Sequence, residues 1–431
     1  MTQVYSADWV LPVGDEPIED GAVVIEDDRI AAVGPSDELG EGRRFAEAAI
    51  VPGIVNAHSH LEYAVYGGFG DGLAFGPWIR LHIERKGRIA WGEFLAIARL
   101  GAAECLGSGI TTVGDASFGG ASRIAAAELG LTGIFYLEVF GGDPDAALES
   151  FFERFERATD LPRQGLGISP HATYSVTPDL YRKAFELDLP VATHVAESQD
   201  ELDYLLDGSG PIAAISEVEP PGTTPVRHLA AHGLLGPVVL AAHCVKVDEE
   251  EIELLRAHDV AVAHCPRSNA LLGCGIAPLT ELLEAGVRVG LGTDSPASTP
   301  SFDMFEEMRT AIYMARARVQ RPDALSPTEA LRLATLGSAS ALGLDDELGS
   351  LAPGKRADLA VVSLAGSPYL PWEDPAAAVV FGGSPERVLL TVVAGEERYE
   401  KGGFAWLELR RSAAAARACM LSAEPLAHPK T

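Results

Sequence analysis

The chain has 431 residues, 47% of them hydrophobic, so it can bury a large core and is too long for one minimal domain. Its 33 Lys and Arg stand against 62 Asp and Glu, and the formal net charge of -29 repels nucleic-acid phosphates and anionic membrane surfaces. The five cysteines lack CxxC spacing, the N-terminus has no basic and apolar leader, and no apolar run reaches about 18 residues, which predicts a cytoplasmic protein with no nucleic-acid partner and no membrane span.

Strand-like sequence occurs at both ends of the chain. In "GAVVIEDDRIAAVG", β-branched runs stand on either side of Asp27 and Asp28, which predicts a hairpin within residues 1–50. Similar sequence returns within 346–410, in "GSLAPGKRADLAVV" and "VLLTVVAGEERYE". We expect these two segments to form one small β-sandwich domain, followed by a helix and tail over 411–431.

The region 51–345 alternates short apolar runs with amphipathic segments such as "RIAAAELG", a pattern typical of βαβ units and a parallel sheet. Eight such runs occur in about 250 residues, which predicts an α/β fold of the (β/α)₈ TIM-barrel type. Because active sites of this fold lie at the C-terminal ends of the strands, polar residues that end the runs are candidate site residues.

Histidines and an aspartate end several of these runs. His58 and His60 in "IVNAHSHLE" are two residues apart, so in a strand their side chains point to the same face. Taken alone, this pair also fits two histidines that only form hydrogen bonds. His194, His243 and Asp294 end the fifth, sixth and eighth runs, however, and imidazole and carboxylate are ligands suited to Zn²⁺ or Fe²⁺. The sequence therefore predicts a metal site at the mouth of the barrel.

The stretches "VPGIVNAHSHLE", "GSGITTVGD", "THVAES", "AAHCV", "HCPRSNALLGCGIAPL" and "VGLGTDSPAS" together resemble the amidohydrolase superfamily, from about residue 4 to residue 410. The likeness is to its cytosine deaminase, chlorohydrolase and adenosyl-nucleoside deaminase branch. This resemblance implies that one divalent ion, Zn²⁺ in preference to Fe²⁺, is bound by His58, His60, His194 and Asp294. Branches with two metals bridge them with a lysine at the end of the fourth strand. Here that strand reads "GISPHATYS" and contains no lysine, so one metal ion is expected.

The resemblance also implies the chemistry. A metal-bound hydroxide would attack an aminopurine nucleoside and release ammonia, with Glu197 as the general acid. His243 and Asp294 would accept the proton of the water and pass it to the departing amine. His171 matches a substrate-binding position.

Three further residues are candidates for substrate binding. Trp78 in "LAFGPWIRLHIERK" lies where this branch often builds a lid, although a tryptophan also fits a plain core position. Glu62 and Glu84 could accept hydrogen bonds from the vicinal hydroxyls of a ribose, or could be exposed or ion-paired carboxylates.

The phrases "HSHLE", "FGPWI" and "HCPRSN" resemble the aminodeoxyfutalosine deaminases of menaquinone biosynthesis. The alternatives are a methylthioadenosine/S-adenosylhomocysteine deaminase, a triazine chlorohydrolase, another amidohydrolase that releases no ammonia, and a non-catalytic scaffold. A small-molecule substrate and a homodimer or higher homo-oligomer are expected.

Overall fold

The computed structural model describes residues 2–157, 161–366, 373–403 and 405–422, so the predicted tail over 423–431 lies outside the described residues. The strands are β1 (Thr2–Val10), β2 (Ile18–Glu26), β3 (Arg29–Pro35), β4 (Arg43–Pro52), β5 (Ile54–Ser59), β6 (Ile110–Ser117), β7 (Thr132–Val139), β8 (Gln164–Pro170), β9 (Val191–Val195), β10 (Val239–His243), β11 (Ala261–His264), β12 (Arg288–Leu291), β13 (Leu359–Ser363), β14 (Val388–Val393) and β15 (Glu396–Glu400). The helices are α1 (Ser36–Leu39), α2 (Phe75–Lys86), α3 (Trp91–Gly107), α4 (Ala121–Leu129), α5 (Pro144–Glu156), α6 (Pro178–Phe185), α7 (Gln199–Asp207), α8 (Pro225–Ala231), α9 (Glu249–Ala257), α10 (Pro266–Leu271), α11 (Leu279–Glu284), α12 (Met304–Val319), α13 (Pro327–Arg332), α14 (Ser338–Ala341), α15 (Pro375–Gly382) and α16 (Trp406–Leu421).

The two ends of the chain meet in one mixed sheet of seven strands, ordered β15-β14-β13-β4-β1-β2-β3. The predicted hairpin forms, because β2 pairs antiparallel with β3 on either side of Asp27 and Asp28. β4 pairs antiparallel with β13, with Ile50 opposite Val361, and this pairing joins the N-terminal strands to the C-terminal ones. All seven strands thus belong to one continuous sheet. For the domain boundaries, we propose divisions near residues 50, 345 and 410.

The eight apolar runs form the eight parallel strands β5 to β12, paired in chain order, with helices between them. The bridge between Ser59 and Asp294 links the two outer strands, and the backbone N–H of Asp294 donates to the carbonyl oxygen of His58 at 2.9 Å. The predicted fold class, a TIM barrel with a small β domain built from both termini, is confirmed. The closure also brings the aspartate that follows the last strand beside the histidines that end the first.

Side chains inside the barrel are buried and mainly apolar, among them Val55, Ala57, Tyr136 and Leu240. A filled interior leaves room for polar groups only at the strand ends, as this fold requires. The helix α2 follows β5 and lies over that mouth. In the part of the chain that the structure describes, no helix has the length and apolar character needed to cross a membrane.

The C-terminal helix α16 packs against α3 and the segment that leads into α2. The guanidinium of Arg417 lies 4.2 Å from the centroid of the Phe69 ring, and Arg85 on α2 donates to the carbonyl oxygen of Met420 at 2.7 Å. These contacts hold the covering helix in place over the mouth.

Candidate active site

Four strand-end histidines converge at the mouth of the barrel. His58 lies in β5 and His60 follows its last residue, His194 lies in β9, and His243 ends β10. The His58 ring centroid lies 4.9 Å from that of His60, 5.0 Å from that of His194 and 5.6 Å from that of His243. All four side chains are buried. Parallel strands that end at one rim therefore produce the cluster that the sequence predicts.

Asp294 completes the cluster from beyond β12. Its Oδ1 lies 3.4 Å from His60 Nε2 and 3.7 Å from His58 Nε2. Its Oδ2 accepts hydrogen bonds from Ser268 Oγ at 2.7 Å and Ser298 Oγ at 2.8 Å. The φ of Asp294 is +56°, a conformation that costs a non-glycine residue free energy and that is found preferentially at functional sites. The two serines thus fix one carboxylate oxygen and leave the other facing the histidines.

Hydrogen bonds orient two of the imidazoles. His194 donates from Nδ1 to the carbonyl oxygen of His171 at 2.8 Å, and His243 donates from Nδ1 to the Asn269 Oδ1 at 3.0 Å. Each acceptor is an oxygen, so Nδ1 carries the hydrogen and Nε2 keeps a lone pair directed at the cluster. The same arrangement, with the second ring nitrogen bound to a carbonyl, is typical of histidines that ligate metals.

The donor atoms fit a divalent ion. His58 Nε2 and His243 Nε2 are buried and have no hydrogen-bond partner among the described residues. Burial, followed by the neighbouring histidines, lowers the pKa of His58 well below its ordinary value, so its ring is neutral and can donate a lone pair. One ligand atom each from His58, His60 and His194 lie within 4.8 Å of one another, as do those of His58, His243 and Asp294.

Glu197 stands at the edge of this cluster, three residues beyond His194. Its Oε2 lies 3.7 Å from His243 Nε2, and its backbone N–H donates to Glu201 Oε2 at 2.7 Å. Burial, and then the charges of Asp294 and Glu201, raise the pKa of the Glu197 carboxyl well above its ordinary value. The carboxyl is therefore protonated more readily than an exposed glutamate, as a proton donor must be.

A cavity of about 390 Å³ opens over the cluster, which supplies one end of its wall. His171 lies in this wall, with its ring centroid 4.8 Å from that of His194 and its Nδ1 2.8 Å from Ser175 Oγ. Trp78 lies in the wall as well, contributed by α2, and its ring centroid is 4.4 Å from that of His82. Two of the four candidates for substrate contact, His171 and Trp78, thus border the cavity.

Neither of the two glutamates suggested for ribose binding borders the cavity. The Glu62 carboxylate is buried and accepts hydrogen bonds from Ser117 Oγ at 2.7 Å and from the backbone N–H groups of Gly119 and Ala121 at 2.6 and 2.7 Å. The Glu62 carboxylate therefore accepts hydrogen bonds from backbone N–H groups before and at the start of α4 that have no partner within the helix. This contact stabilises the local structure. Glu84 is exposed on the outer side of α2.

The polar residues of the cavity wall that were not predicted as site residues include His82, Lys86 and Glu138. Sequence periodicity could have indicated them. Lys86 and His82 follow Trp78 at helical positions i+8 and i+4, which places all three on one face of α2. Glu138 has the same parity along β7 as Tyr136, which points into the barrel.

Comparison with known proteins relates the chain to deaminases. The 5-methylthioadenosine/S-adenosylhomocysteine deaminase of Pelotomaculum thermopropionicum is 36% identical over 410 residues, covering 90% of each chain. The 5'-deoxyadenosine deaminase of Methanothermobacter thermautotrophicus is 33% identical over 410 residues, covering 91% of this chain and 92% of the other.

Solved structures agree in fold over nearly the whole length. An adenosine deaminase from Xanthomonas campestris with bound zinc superposes with a TM-score of 0.88 at 28% identity, covering 97% of this chain and 98% of the other. An atrazine chlorohydrolase from Arthrobacter aurescens TC1 complexed with zinc gives a TM-score of 0.83 at 25% identity, covering 97% and 99%. The pattern of the amidohydrolase family matches residues 49–398, and a short stretch over 21–41 matches an imidazolonepropionase-like composite domain of bacteria. The chain therefore belongs to the amidohydrolase family and is a hydrolase of non-peptide carbon–nitrogen bonds of the deaminase type.

Proposed function

We propose that the protein is a deaminase of adenine nucleosides that depends on one divalent metal ion, and that aminodeoxyfutalosine is its preferred substrate. The observation that carries the proposal is the placement of the Glu197 carboxyl 3.7 Å from His243 Nε2, at the edge of the histidine–aspartate cluster and in the wall of one cavity. A proton donor and a proton acceptor thus stand together beside a metal-type donor set. The deaminase relatives support the adenine nucleoside as the substrate class.

The residues that would hold the metal are His58, His60, His194 and Asp294. When bound, a divalent ion supplies Lewis acidity that makes water nucleophilic near neutral pH. A lysine able to bridge a second ion is missing from β8, so a single ion is the expected content. Zn²⁺ is favoured over Fe²⁺, in keeping with the zinc bound in the related adenosine deaminase and chlorohydrolase structures.

Glu197 would protonate a ring nitrogen of the purine, which breaks the aromaticity that otherwise resists addition of water. His243 Nε2 and Asp294 Oδ1 would accept the proton that the attacking water loses. The same groups would return it to the amino group, which leaves as ammonia. Burial, in the first place, lowers the pKa of His243, so the ring is neutral and its Nε2 is free to accept a proton.

Asn269 provides a test of the role of His243. In Asn269→Ala the acceptor for His243 Nδ1–H is lost, so the ring can adopt the other tautomer or rotate. We expect kcat to fall about 10- to 100-fold, the size of effect typical for a partner that orients a site histidine. Metal content, measured by elemental analysis, should not change.

Asn269→Asp is the matched control, because the carboxylate again offers an oxygen to Nδ1–H and should restore part of kcat. A kcat of Asn269→Ala within about twofold of the parent, which is the scatter of neutral surface substitutions, would contradict the role of His243.

The substrate assignment is tested by ammonia release across adenosine, methylthioadenosine, S-adenosylhomocysteine, aminodeoxyfutalosine, guanine and cytosine. We expect aminodeoxyfutalosine to show the highest kcat/KM and methylthioadenosine to follow it. The resemblance of "HSHLE", "FGPWI" and "HCPRSN" to aminodeoxyfutalosine deaminases supports this order. A lead of tenfold or more for cytosine or guanine, about 1.4 kcal/mol of transition-state binding, would overturn the nucleoside assignment.

Deamination of methylthioadenosine or S-adenosylhomocysteine is the second candidate function, favoured by the names of the curated relatives at 31–36% identity. It would be established by a higher kcat/KM for either compound than for aminodeoxyfutalosine in the same panel.

A further inference from the structure

Two segments outside the barrel strands hold one oxygen of the Asp294 carboxylate. The helix α10 supplies Ser268 and the loop after β12 supplies Ser298, and both hydroxyls donate to Asp294 Oδ2, at 2.7 and 2.8 Å. The residue after Ser268 is Asn269, whose Oδ1 accepts from His243 Nδ1 at 3.0 Å. The orientation of Asp294 and His243 therefore depends on where α10 and this loop lie relative to each other.

Arg267 joins these two segments. It lies in α10, is buried, and directs its guanidinium at the end of the loop, where Nη2 donates to the carbonyl oxygen of Ser301 at 2.8 Å and Nη1 to that of Asp303 at 3.0 Å. A guanidinium presents its N–H groups in a rigid planar fork, so bonds to two carbonyl groups fix both direction and distance. Arg267 thus sets the separation of the two segments that donate to Asp294.

A buried carboxylate on α12 holds Arg267 in turn. Glu307 Oε1 lies 3.0 Å from Arg267 Nε, and Glu307 Oε2 accepts the backbone N–H of Arg267 at 3.2 Å. That N–H belongs to the first turn of α10, where backbone donors have no acceptor within the helix. Glu306 Oε2 also lies 3.1 Å from Arg267 Nη1, but Glu306 is exposed, so water screens this second pair. The buried Glu307 is therefore the residue that anchors α10 to α12.

This ion pair lies behind the site and not in its cavity. Neither Arg267 nor Glu307 borders the cavity over the histidine cluster, so neither touches a substrate bound there. An influence on the reaction must then pass through the side chains that α10 and the loop present to Asp294 and His243. Such an influence changes kcat and the affinity for the metal, and it leaves KM unchanged.

We propose that the buried ion pair of Arg267 and Glu307 positions the proton acceptors of the site. The pair acts on Asp294 through the two serines and on His243 through Asn269. Both members are positioning residues, since they act through other side chains. The inference rests on the proposed function, because it takes Asp294 as a metal ligand and both Asp294 and His243 as proton acceptors.

The test measures Zn²⁺ affinity, kcat and KM in Arg267→Met, which keeps the apolar stem and removes the guanidinium. Competition with a chelator gives the Zn²⁺ affinity, and kcat is measured at saturating Zn²⁺ with the best nucleoside of the panel. We expect Zn²⁺ affinity and kcat each to fall about 10- to 100-fold, as for other partners that orient metal ligands. KM should stay within about twofold of the parent, because the cavity wall is unchanged.

A double variant separates positioning from stability. In Arg267→Met/Glu307→Gln both charges are removed, so no unpaired charge stays buried and the melting temperature should exceed that of Arg267→Met. Zn²⁺ affinity and kcat should stay reduced, because the bonds to the loop are still missing. Recovery of Zn²⁺ affinity and kcat together with the melting temperature would show that the pair contributes only stability, and would overturn the proposal.

Arg309→Met is the matched control. Arg309 lies on α12 and also donates to two carbonyl oxygens, those of Val380 at 3.1 Å and Gly383 at 2.8 Å, but these bonds hold the end of α15. Its Zn²⁺ affinity and kcat should equal those of the parent. Arg267→Lys keeps the charge without the planar fork and should give values between those of the parent and Arg267→Met. If Arg267→Met does not fold, Arg267→Lys and the double variant decide.

The outcome separates the positioning role from the proposed function. Parent values of Zn²⁺ affinity and kcat in Arg267→Met, in a protein that deaminates nucleosides, refute the positioning role alone. A parent that releases no ammonia from any nucleoside refutes the proposed function, and the Zn²⁺ affinities, which need no substrate, then decide on the positioning role. A parent that binds no Zn²⁺ refutes both.

Discussion

Glu197→Gln is expected to abolish most of the activity while the protein keeps its fold and its metal. The amide retains the shape and hydrogen-bonding reach of the side chain but cannot deliver a proton to the purine ring. General acid–base groups contribute about 10² to 10⁴ in rate, and kcat should fall toward the upper end of that range because protonation must precede attack on an aromatic ring. Steady-state ammonia release and elemental analysis of the same preparation measure both quantities.

Glu84→Gln is the matched control, because it makes the same chemical change on the exposed side of α2. Its kcat/KM should lie within about twofold of the parent, as expected for a surface substitution. Deamination by Glu197→Gln within about fivefold of the parent, with metal bound, would show that the proton comes from another group.

In His194→Ala, activity should be lost because the metal is lost, whereas Glu197→Gln should lose activity with its metal still bound. The substitution removes one of the proposed ligands and also the Nδ1–H that binds the carbonyl oxygen of His171. Outer partners of ligating histidines alone are worth about 10- to 100-fold in metal affinity, so loss of the ligand itself should weaken binding by about 100-fold or more. Competition with a chelator of known affinity measures the change.

His258→Ala serves as its control, since His258 is exposed and its Nδ1 lies 2.9 Å from the carbonyl oxygen of Leu254 at the end of its own helix. It should bind metal as the parent does. Full metal occupancy in His194→Ala, at the parent's affinity, would remove His194 from the ligand set.

The barrel could be predicted from the sequence because its strands are covered on both faces. Such strands appear as short apolar runs, and each run stops where the chain reaches the mouth. His58, His60, His194, His243 and Asp294 stand at those points, and the symmetry of a barrel brings all strand ends to one rim. Their proximity thus follows from the count of eight strands and needs no knowledge of the loops.

The assignments that the sequence could not give depend on how loops and helices return over the mouth. Glu62 follows the histidine pair directly, yet the loop after β6 turns its N–H groups onto that carboxylate. Asn269 reaches His243 only because α10 starts at the rim, beside β11. Lys86 faces the cavity because α2 crosses the mouth with one particular face inward. Spacing along the chain places Lys86 on the same face of α2 as Trp78, but it does not determine which face of the helix turns toward the cavity.

Titration of the metal-free protein with Zn²⁺, with ammonia release from the best nucleoside of the panel measured at each addition, tests the proposed function most directly. Activity should be absent without metal, should rise linearly, and should reach a plateau at about one equivalent per chain. Equal ammonia release with and without metal, a plateau only at two equivalents, or no ammonia from any adenine nucleoside at saturation would contradict a mononuclear, metal-dependent nucleoside deaminase.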